Sequence, residues 1–200
     1  MSFPASLATA LMMMATQGSP SSVPYPTGAE VAAEVNALRT DPRAYAQHLR
    51  DYRAQFEGDV INRPGRGPIV ALEGVASVDE AIAALESQQS MGALSHDPAF
   101  DNAAAAYVAE QGANGSVGHI GADGGDATSR VSRYTATQGV GENISYGEVS
   151  ARDVVIQFLV DAGVPSRGHR RNLFSDYTRI GAACGPHLRY ERMCVVDFGL

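Results

Sequence analysis

Apolar residues recur at helical spacing in several stretches of the first 115 residues. The first stretch follows Thr27 and Glu30, whose spacing is that of a capping box, and the second begins at Asp41-Pro42. The pattern therefore predicts two helices near the start of the chain. Their apolar positions are Val31, Val35 and Leu38 in the first, and Tyr45, Leu49, Tyr52 and Phe56 in the second.

Three further features organise the middle of the chain. Residues 57–74 are rich in glycine and proline and are predicted to form a loop. Ser77 and Glu80 repeat the capping-box spacing, which predicts that a third helix begins there. Asp97-Pro98 is a typical helix start, and the alanine-rich residues 99–111 predict the strongest helix of the chain, ending at Gly112.

The last third of the chain mixes strand and helix patterns. Residues 139–147 (GVGENISYG) predict a short alternating strand. A helix capped by Ser150 is predicted to run to Asp161 and to end at Gly163. Residues 178–184 and 192–199 predict the two strands of a terminal hairpin, so the overall fold class is α+β.

Composition narrows the class of protein. The chain has 200 residues, 22 acidic against 15 basic side chains, and a formal net charge of -7. Nucleic-acid binding is not expected, because neutralisation of phosphates needs a basic face. Residues 1–26 are interpreted as a leader, either signal-like because of the apolar run from Leu7 to Ala15 or disordered, and residues 27–200 as a single domain. The run is too short to span a membrane, and no later segment is apolar enough, so no integral membrane segment is expected.

The two cysteines, Cys184 and Cys194, flank a polar turn between short apolar runs. This is the arrangement of a cross-strand pair in a hairpin. In an exported protein such a pair would be oxidised, whereas in the cytosol both would be small buried apolar residues. Neither cysteine lies beside a histidine and a carboxylate that would indicate a catalytic nucleophile.

Ionisable side chains occur at four positions where the local pattern does not require them: His119, Glu142, Asp161 and His169. Each has an ordinary alternative, such as a solvated carboxylate or a histidine bonded to backbone. Asp161 lies near the end of a helix, where a negative charge opposes the helix dipole, so an offsetting contact is expected. His48, His96 and His187 are assigned no role beyond bonding to backbone.

Two imidazoles and two carboxylates brought together would suit a divalent ion. Neutral ring nitrogens of His119 and His169 would bind Zn, Cu, Ni or Fe, and Glu142 and Asp161 would hold the far ring N–H or take a coordination position. His169 lies in a stretch, residues 164–174 (VPSRGHRRNLF), that predicts a constrained turn. The turn is expected to be supported by Arg170 or Arg171, against one of the surplus carboxylates, and by Asn172.

Several motifs, in order along the chain, resemble the CAP superfamily, also called the SCP or cysteine-rich secretory protein domain. The resemblance covers about Val31 to the end and favours a bacterial-type secreted member. Its motifs are residues 34–39 (EVNALR), 94–111 (LSHDPAFDNAAAAYVAEQ), 118–124 (GHIGADG), 141–147 (GENISYG), 168–174 (GHRRNLF), 180–185 (IGAACG) and 195–199 (VVDFG).

The resemblance implies a three-layer α-β-α sandwich with a central cavity lined by two histidines and two acids. His119, Glu142 and His169 match three of these positions. The fourth corresponds to Asp161 in residues 158–161 (FLVD), where the family has a Trp-x-x-Glu helix. The shorter Asp side chain is expected to reach a neighbouring imidazole rather than a metal ion.

Three functions follow as hypotheses. The first, favoured one is a secreted or periplasmic monomer that acts as a binding module, holding zinc or another divalent ion but no organic cofactor. Its extracellular ligand would be a lipid, sterol, glycan or peptide. The second is a metal-dependent hydrolase with Glu142 as general base. The third is an interaction domain in which the histidines and acids form only a buried polar network.

Overall fold

The computed structural model of the chain describes residues 24–63 and 66–200. The apolar run of the predicted leader lies outside these residues. The helices are α1 (Gly28–Thr40), α2 (Pro42–Arg53), α3 (Gly74–Ser87), α4 (Pro98–Asn114), α5 (Ala127–Val131), α6 (Ala151–Val160) and α7 (Gly168–Leu173). The strands are β1 (Phe56–Glu57), β2 (Val60–Ile61), β3 (Ile69–Val70), β4 (Ser95–His96), β5 (Val140–Tyr146), β6 (Arg179–His187) and β7 (Glu191–Gly199).

Local capping signals locate the starts of four helices correctly. Thr27 and Glu30 form the predicted capping box of α1. Asp41 caps α2 and Asp97 caps α4, each followed by proline at the first helical position, and Ser150 caps α6. These side chains accept hydrogen bonds from backbone N–H groups that have no partner within the helix, which is why the signals are local and readable.

Other predicted boundaries were wrong. Helix α3 begins at Gly74, so Ser77 lies inside it and donates its hydroxyl to the Gly74 carbonyl, while Glu80 faces an arginine instead of capping the helix. Helix α4 continues past Gly112 to a left-handed cap at Gly115. A Cβ at position 112 would lie 2.3 Å from the carbonyl oxygen of Pro186, so this glycine permits close packing rather than ending the helix.

The main sheet has the strand order β4-β6-β7-β5. Strands β6 and β7 form the predicted hairpin, and β5 pairs antiparallel with β7 at the edge. The two-residue strand β4 pairs parallel with β6, which the sequence did not indicate. The predicted loop over residues 57–74 contains parts of a second, small sheet, β1-β2-β3, whose two-residue strands are too short to show a periodic pattern.

Helices cover both faces of the main sheet. Residues of β7 alternate between two clusters: Cys194, Val196 and Phe198 pack with α1, α2, α3 and α6, whereas Met193 and Val195 pack with α4. Helix α5 packs beside α4 and against β5. Every residue of β7 after Glu191 is therefore buried, and so is the centre of β5, where the sequence predicted alternation. The expected three-layer α-β-α sandwich of the α+β class is confirmed.

The motif in residues 34–39 ties the first helix to distant parts of the chain. The side-chain amide of Asn36 exchanges hydrogen bonds with the backbone of Leu94 at 3.0 and 2.7 Å. The buried guanidinium of Arg39 donates to the carbonyls of Leu173 and Ser175. Both residues therefore hold loops and the end of α7 in place rather than serving a binding surface.

Cys184 and Cys194 are joined by a disulfide between directly paired positions of β6 and β7. The disulfide that the sequence left open is thus present, and neither sulfur is available as a nucleophile. None of the helices in the described ranges combines the length and apolar character that a bilayer span requires.

Candidate functional site

The edge strand β5 lies between the two helical layers, and its alternation sends neighbouring side chains to opposite sides. Ile144 packs with α4, and Glu142, two residues earlier, shares that face. Asn143 points to the other face, where its amide donates to the backbone carbonyl of His169 at the start of α7. Residues from both outer layers therefore meet at this strand.

His119 comes from the glycine-rich connection between α4 and α5. Its ring atom Nδ1 lies 2.8 Å from Oε1 of Glu142. The imidazole is half exposed, at 52%, whereas the carboxylate is only 3% exposed. The glutamate is thus buried beneath the ring, and the ring faces outward.

Arg130, on α5, holds the other side of this pair. One of its terminal nitrogens pairs with Oε2 of Glu142, and the other donates to the carbonyls of His119 and Gly125, each at 3.1 Å. The guanidinium stacks on the ring of Tyr107, 3.4 Å from the ring centroid. Arg130 therefore contacts both the carboxylate of Glu142 and the backbone of His119.

His169 lies in the first turn of α7. Its ring Nδ1 is 2.6 Å from Oδ1 of Asp161, and the ring stacks on Phe158 with 5.7 Å between centroids. Asp161 is 2% exposed. As expected from its short side chain, it reaches the neighbouring imidazole, and the residues predicted as a turn form a short helix.

Asp161 follows the last residue of α6 in a left-handed conformation, with φ 50°. The helix that was predicted to run to Asp161 and to end at Gly163 ends earlier, at Val160, and Asp161 is its C-cap. Its second oxygen, Oδ2, accepts hydrogen bonds from the backbone N–H groups of His169 at 2.9 Å and Arg170 at 3.4 Å. These amide donors of the next helix supply the contact that offsets an acid at the end of α6.

Charged and amide side chains fix α7 on its other sides. Arg170 donates to the Leu159 and Val160 carbonyls and pairs with Glu80 on α3, while Arg171 does not serve as the brace. Asn172 donates to the Glu142 carbonyl and to Asn143. The expected supporting contacts of Arg170 and Asn172 are therefore present in the structure.

Arg167, which the sequence did not single out, precedes α7. It pairs with Glu73 and Glu80 and donates to the carbonyl of Asp161. Hydrogen bonds from Arg167 and Arg170 lower the pKa of Glu80 to about 2. Arg167 and Arg170 are thus neutralised by two acids, Glu73 at the cap of α3 and Glu80 within it.

The two imidazoles face each other across the mouth of a cavity. Their ring centroids are 6.2 Å apart and their planes are inclined by 35°. Because each Nδ1 contacts a carboxylate, Nε2 is the atom that remains on each ring, and it forms no hydrogen bond to another described residue. The rings are therefore placed to contact a single bound species.

This arrangement fits a divalent ion only in part. Two imidazole nitrogens, each with a carboxylate on the far ring nitrogen, are a common support for zinc. Within residues 24–63 and 66–200, however, no three metal-ligating side chains converge on one point. A metal here would have two protein ligands, and water or a bound molecule would supply the rest.

The cavity beyond the histidines has a volume of about 500 Å³. Most of its wall is apolar, with contributions from Ile144, Ile156 and Phe158. The histidines lie among its lining residues, and Arg63, Glu148 and Asp153 also belong to them as an ionic group. Its size is in the range of small-molecule sites.

A network of neutral polar groups holds the loop that carries His119. Tyr107 and Gln111 on α4 both donate to the carbonyl of Gly118, and the hydroxyl of Tyr146 accepts from its N–H. Burial raises the pKa of Tyr107 to about 12, so its hydroxyl remains a donor. These three hydrogen bonds to Gly118 hold the glycine-rich loop in place.

Asp197 on β7 lies next to the site but outside the cavity. It is directly paired with Glu142 in the sheet and is fully buried. Neither carboxyl oxygen has a hydrogen-bond partner among the described residues. Burial, together with the nearby charge of Glu142, raises its pKa well above the usual range, and Arg130 opposes this only in part.

Sequence reasoning missed Arg130, Asn143, Arg167 and Asp197. Asn143 lies in the same short motif as Glu142 and could have been found there. Arg130 and Asp197 carry no local signal, because one is an arginine on a short polar helix and the other an acid in the predicted hairpin. Their positions follow from the docking of α5 and the register of β5 on β7.

The order of elements and the two histidine–acid pairs can be compared with known proteins. The profile of the cysteine-rich secretory protein family, CAP, matches residues 32–198. The chain belongs to the CAP family. Among curated proteins, none matches the sequence significantly.

Two solved structures are similar to this CAP chain. An outer surface protein from Borrelia burgdorferi is 20% identical, with a TM-score of 0.46 and coverage of 72% of this chain and 98% of that one. An extracellular protein containing a SCP domain, from Bacillus anthracis str. Ames, is 19% identical, also with a TM-score of 0.46. That match covers 63% of this chain and 38% of the other, so it corresponds to a part of a longer protein.

Proposed function

We propose that this CAP protein is a secreted or periplasmic binding module whose cavity takes a divalent metal ion, such as zinc, and a small amphipathic ligand. The observation that carries the proposal is the pair of imidazoles 6.2 Å apart, each supported by a buried carboxylate. His119 and His169 would hold the ion through Nε2, and Glu142 and Asp161 would orient the rings.

The apolar wall of the cavity supports the ligand class. A ligand with an extended apolar part would bury it against Ile144, Ile156 and Phe158, and its polar end would meet the histidines. A lipid or sterol fits this description best, and an apolar peptide side chain fits it too. With two protein ligands, the ion would have coordination positions left for the polar end of such a molecule.

Secretion is supported by two features. The family is that of cysteine-rich secretory proteins, and Cys184 and Cys194 form a disulfide. Disulfides persist in oxidising compartments and are rare in the cytosol. The mass of the exported product would show where the mature chain begins.

Zinc titration by calorimetry tests the metal site. We expect the wild-type chain to bind one zinc ion at neutral pH and to bind it more weakly at mildly acidic pH, because a protonated imidazole has no free lone pair for the metal. His119→Ala or His169→Ala should each lower the affinity by more than the about 10–100-fold that loss of an outer partner costs. His96→Ala is the matched control, because His96 is an exposed histidine that also bonds a carboxylate, Asp101.

Equal zinc affinity in the wild type, His119→Ala and His169→Ala would contradict the metal proposal. Loss of binding in His96→Ala alone would move the site to that histidine. Circular dichroism of each variant separates a lost ligand from a lost fold.

The hydrolase hypothesis has less support. A general base needs a carboxylate oxygen that faces the substrate, but Oε1 of Glu142 contacts His119 and Oε2 contacts Arg130. Glu142 is also nearly completely buried. A zinc-dependent esterase or peptidase activity that disappears in Glu142→Gln, even at zinc concentrations that saturate the variant, would favour the hydrolase over the binding module.

A further inference from the structure

In both histidine–acid pairs a carboxylate oxygen contacts Nδ1 of the ring, but different groups hold the two carboxylates. Asp161 is held by backbone N–H groups of α7, whereas Glu142 is held by the side chain of Arg130. Arg130 is 5% exposed, and it also donates to the carbonyl of His119. One histidine thus depends on a buried cation and the other does not.

Arg130 determines where the carboxylate of Glu142 lies relative to the ring of His119, because it holds both Oε2 of the acid and the backbone carbonyl of the histidine. A guanidinium only donates, so the oxygen that faces it accepts. With Oε2 paired to Arg130, the other oxygen, Oε1, lies 2.8 Å from Nδ1 of His119, and a carboxylate oxygen can only accept there. The neutral ring must then carry its proton on Nδ1, which leaves the lone pair of Nε2 directed away from Glu142.

We propose that Arg130 is a positioning residue that fixes His119 in the Nδ1–H tautomer and so presents Nε2 to the cavity. The consequence for metal binding rests on the proposed function, but the tautomer itself does not. The guanidinium acts through Glu142 and through the backbone of His119, and it touches no ligand. His169, whose acid is held by amides, should be independent of it.

Nitrogen NMR of the imidazoles tests the proposal without metal. In histidine-labelled protein at mildly alkaline pH, the shifts of Nδ1 and Nε2 report which nitrogen carries the proton. We expect the Nδ1–H form for both His119 and His169 in the wild type. In Arg130→Met the acid and the His119 backbone are no longer held together, so the contact at Nδ1 should be lost and His119 should shift towards the Nε2–H form, while His169 stays unchanged.

A second variant, Glu142→Gln, leaves Arg130 in place and should reverse the tautomer preference of His119. In Glu142→Gln the arginine should turn the amide oxygen towards itself, so the amide NH₂ would face His119 and donate to Nδ1. His119 should then adopt the Nε2–H form. Adding Arg130→Met to Glu142→Gln frees the amide to turn, so the Nδ1–H form should partly return.

Arg133→Met is the matched control. Arg133 lies three residues further along the chain and pairs with the exposed Asp123, at the surface. Both histidines should keep their wild-type tautomers in this variant. Arg130→Lys keeps a cation that can pair with Oε2 of Glu142, and it should preserve the Nδ1–H form of His119 better than methionine does.

The zinc readout adds a functional measure. Arg130→Met and Glu142→Gln should each weaken zinc binding about 10–100-fold, and Arg130→Lys less. An unchanged His119 tautomer in folded Arg130→Met, or in Glu142→Gln if the methionine variant does not fold, would overturn the inference. A wild type that binds no zinc but shows the expected tautomers would sink the metal proposal and leave the role of Arg130 intact.

Discussion

Asp197 and Glu142 are paired across β7 and β5, but they differ in their contacts. Glu142 has a partner at each oxygen, whereas Asp197 has none among the described residues. Burial raises the pKa of Asp197 well above that of an exposed carboxyl. The folded protein therefore keeps a proton on Asp197 at pH values where the unfolded chain has released it.

This difference predicts a pH-dependent effect of Asp197→Asn. A group whose pKa is raised by folding stabilises the fold at low pH, and this contribution is lost as pH rises from about 4 towards the folded pKa. Asparagine does not titrate. The variant should therefore gain stability relative to the wild type as pH rises, by up to about 1.4 kcal/mol per pH unit. Urea unfolding at several pH values between about 4 and neutrality measures it. A difference that does not change with pH would contradict the prediction.

Two of the element contacts depend on the absence of a side chain. A Cβ on Gly181 of β6 would lie 2.3 Å from the backbone nitrogen of Asp101 and 2.5 Å from the carbonyl carbon of Phe100, both on α4. A Cβ on Gly28 would lie 1.9 Å from the carbonyl oxygen of Ala182. Backbone atoms cannot move aside as a flexible side chain can, so both helices approach the sheet closely only because glycine is present.

Gly181→Ala should therefore be strongly destabilising. We expect a loss of about 3 kcal/mol of unfolding free energy, the upper end of what overpacking usually costs, because α4 must move away from β6. Gly92→Ala is the control, since a Cβ there would have no neighbour within 4 Å, and it should change stability by less than about 0.5 kcal/mol. Thermal or chemical unfolding compares them, and equal stabilities would rule out the close approach.

The disulfide of the β6–β7 hairpin gives a second prediction at the scale of elements. Replacing Cys184 and Cys194 by serine removes a link across 10 positions of the sequence. The wider freedom of the unfolded chain should lower stability by about 3 kcal/mol. Urea unfolding of the oxidised wild type, with and without a reducing agent, checks the value. No change on reduction would show that the hairpin does not depend on the bond.

Capping signals and glycine packing show where prediction from sequence succeeds and where it stops. Thr27, Asp41 and Asp97 act on backbone groups within three residues, so their helices could be predicted. Gly112 was interpreted as a helix end, because the carbonyl that requires it belongs to Pro186, 74 positions away. Contacts of that range leave no local pattern.

At the scale of the whole molecule, the order of motifs was enough to predict the three-layer fold and to select His119, Glu142, Asp161 and His169. Their roles remain predictions, although the structure brings all four residues together. Arg130 and Asp197 could not be selected, because their importance arises only when α5 docks and β5 pairs with β7. The hydrophobic pattern specifies how the helices and the sheet form layers. The packing of these layers then determines which charged side chains come into contact.

Zinc binding should stabilise the molecule as a whole if the proposed function is correct. Zinc at about 100 times its dissociation constant should add about 2.7 kcal/mol to the free energy of unfolding and raise Tm by several degrees. A chelator should reverse the shift. The double variant His119→Ala/His169→Ala should show none, and an equal shift in that variant would place the ion elsewhere.

His119 and Glu142 are supported by α4 and α5, while His169 and Asp161 belong to α6 and α7 on the opposite side of the sheet. An ion or molecule bound by both rings would link the two helical layers, which the sheet otherwise separates. When the bound ion or molecule dissociates, the two layers would be free to separate slightly along β5. Amide hydrogen exchange would then become faster in α5 and in α7 together. Measurements on either helix would therefore report whether the site is occupied.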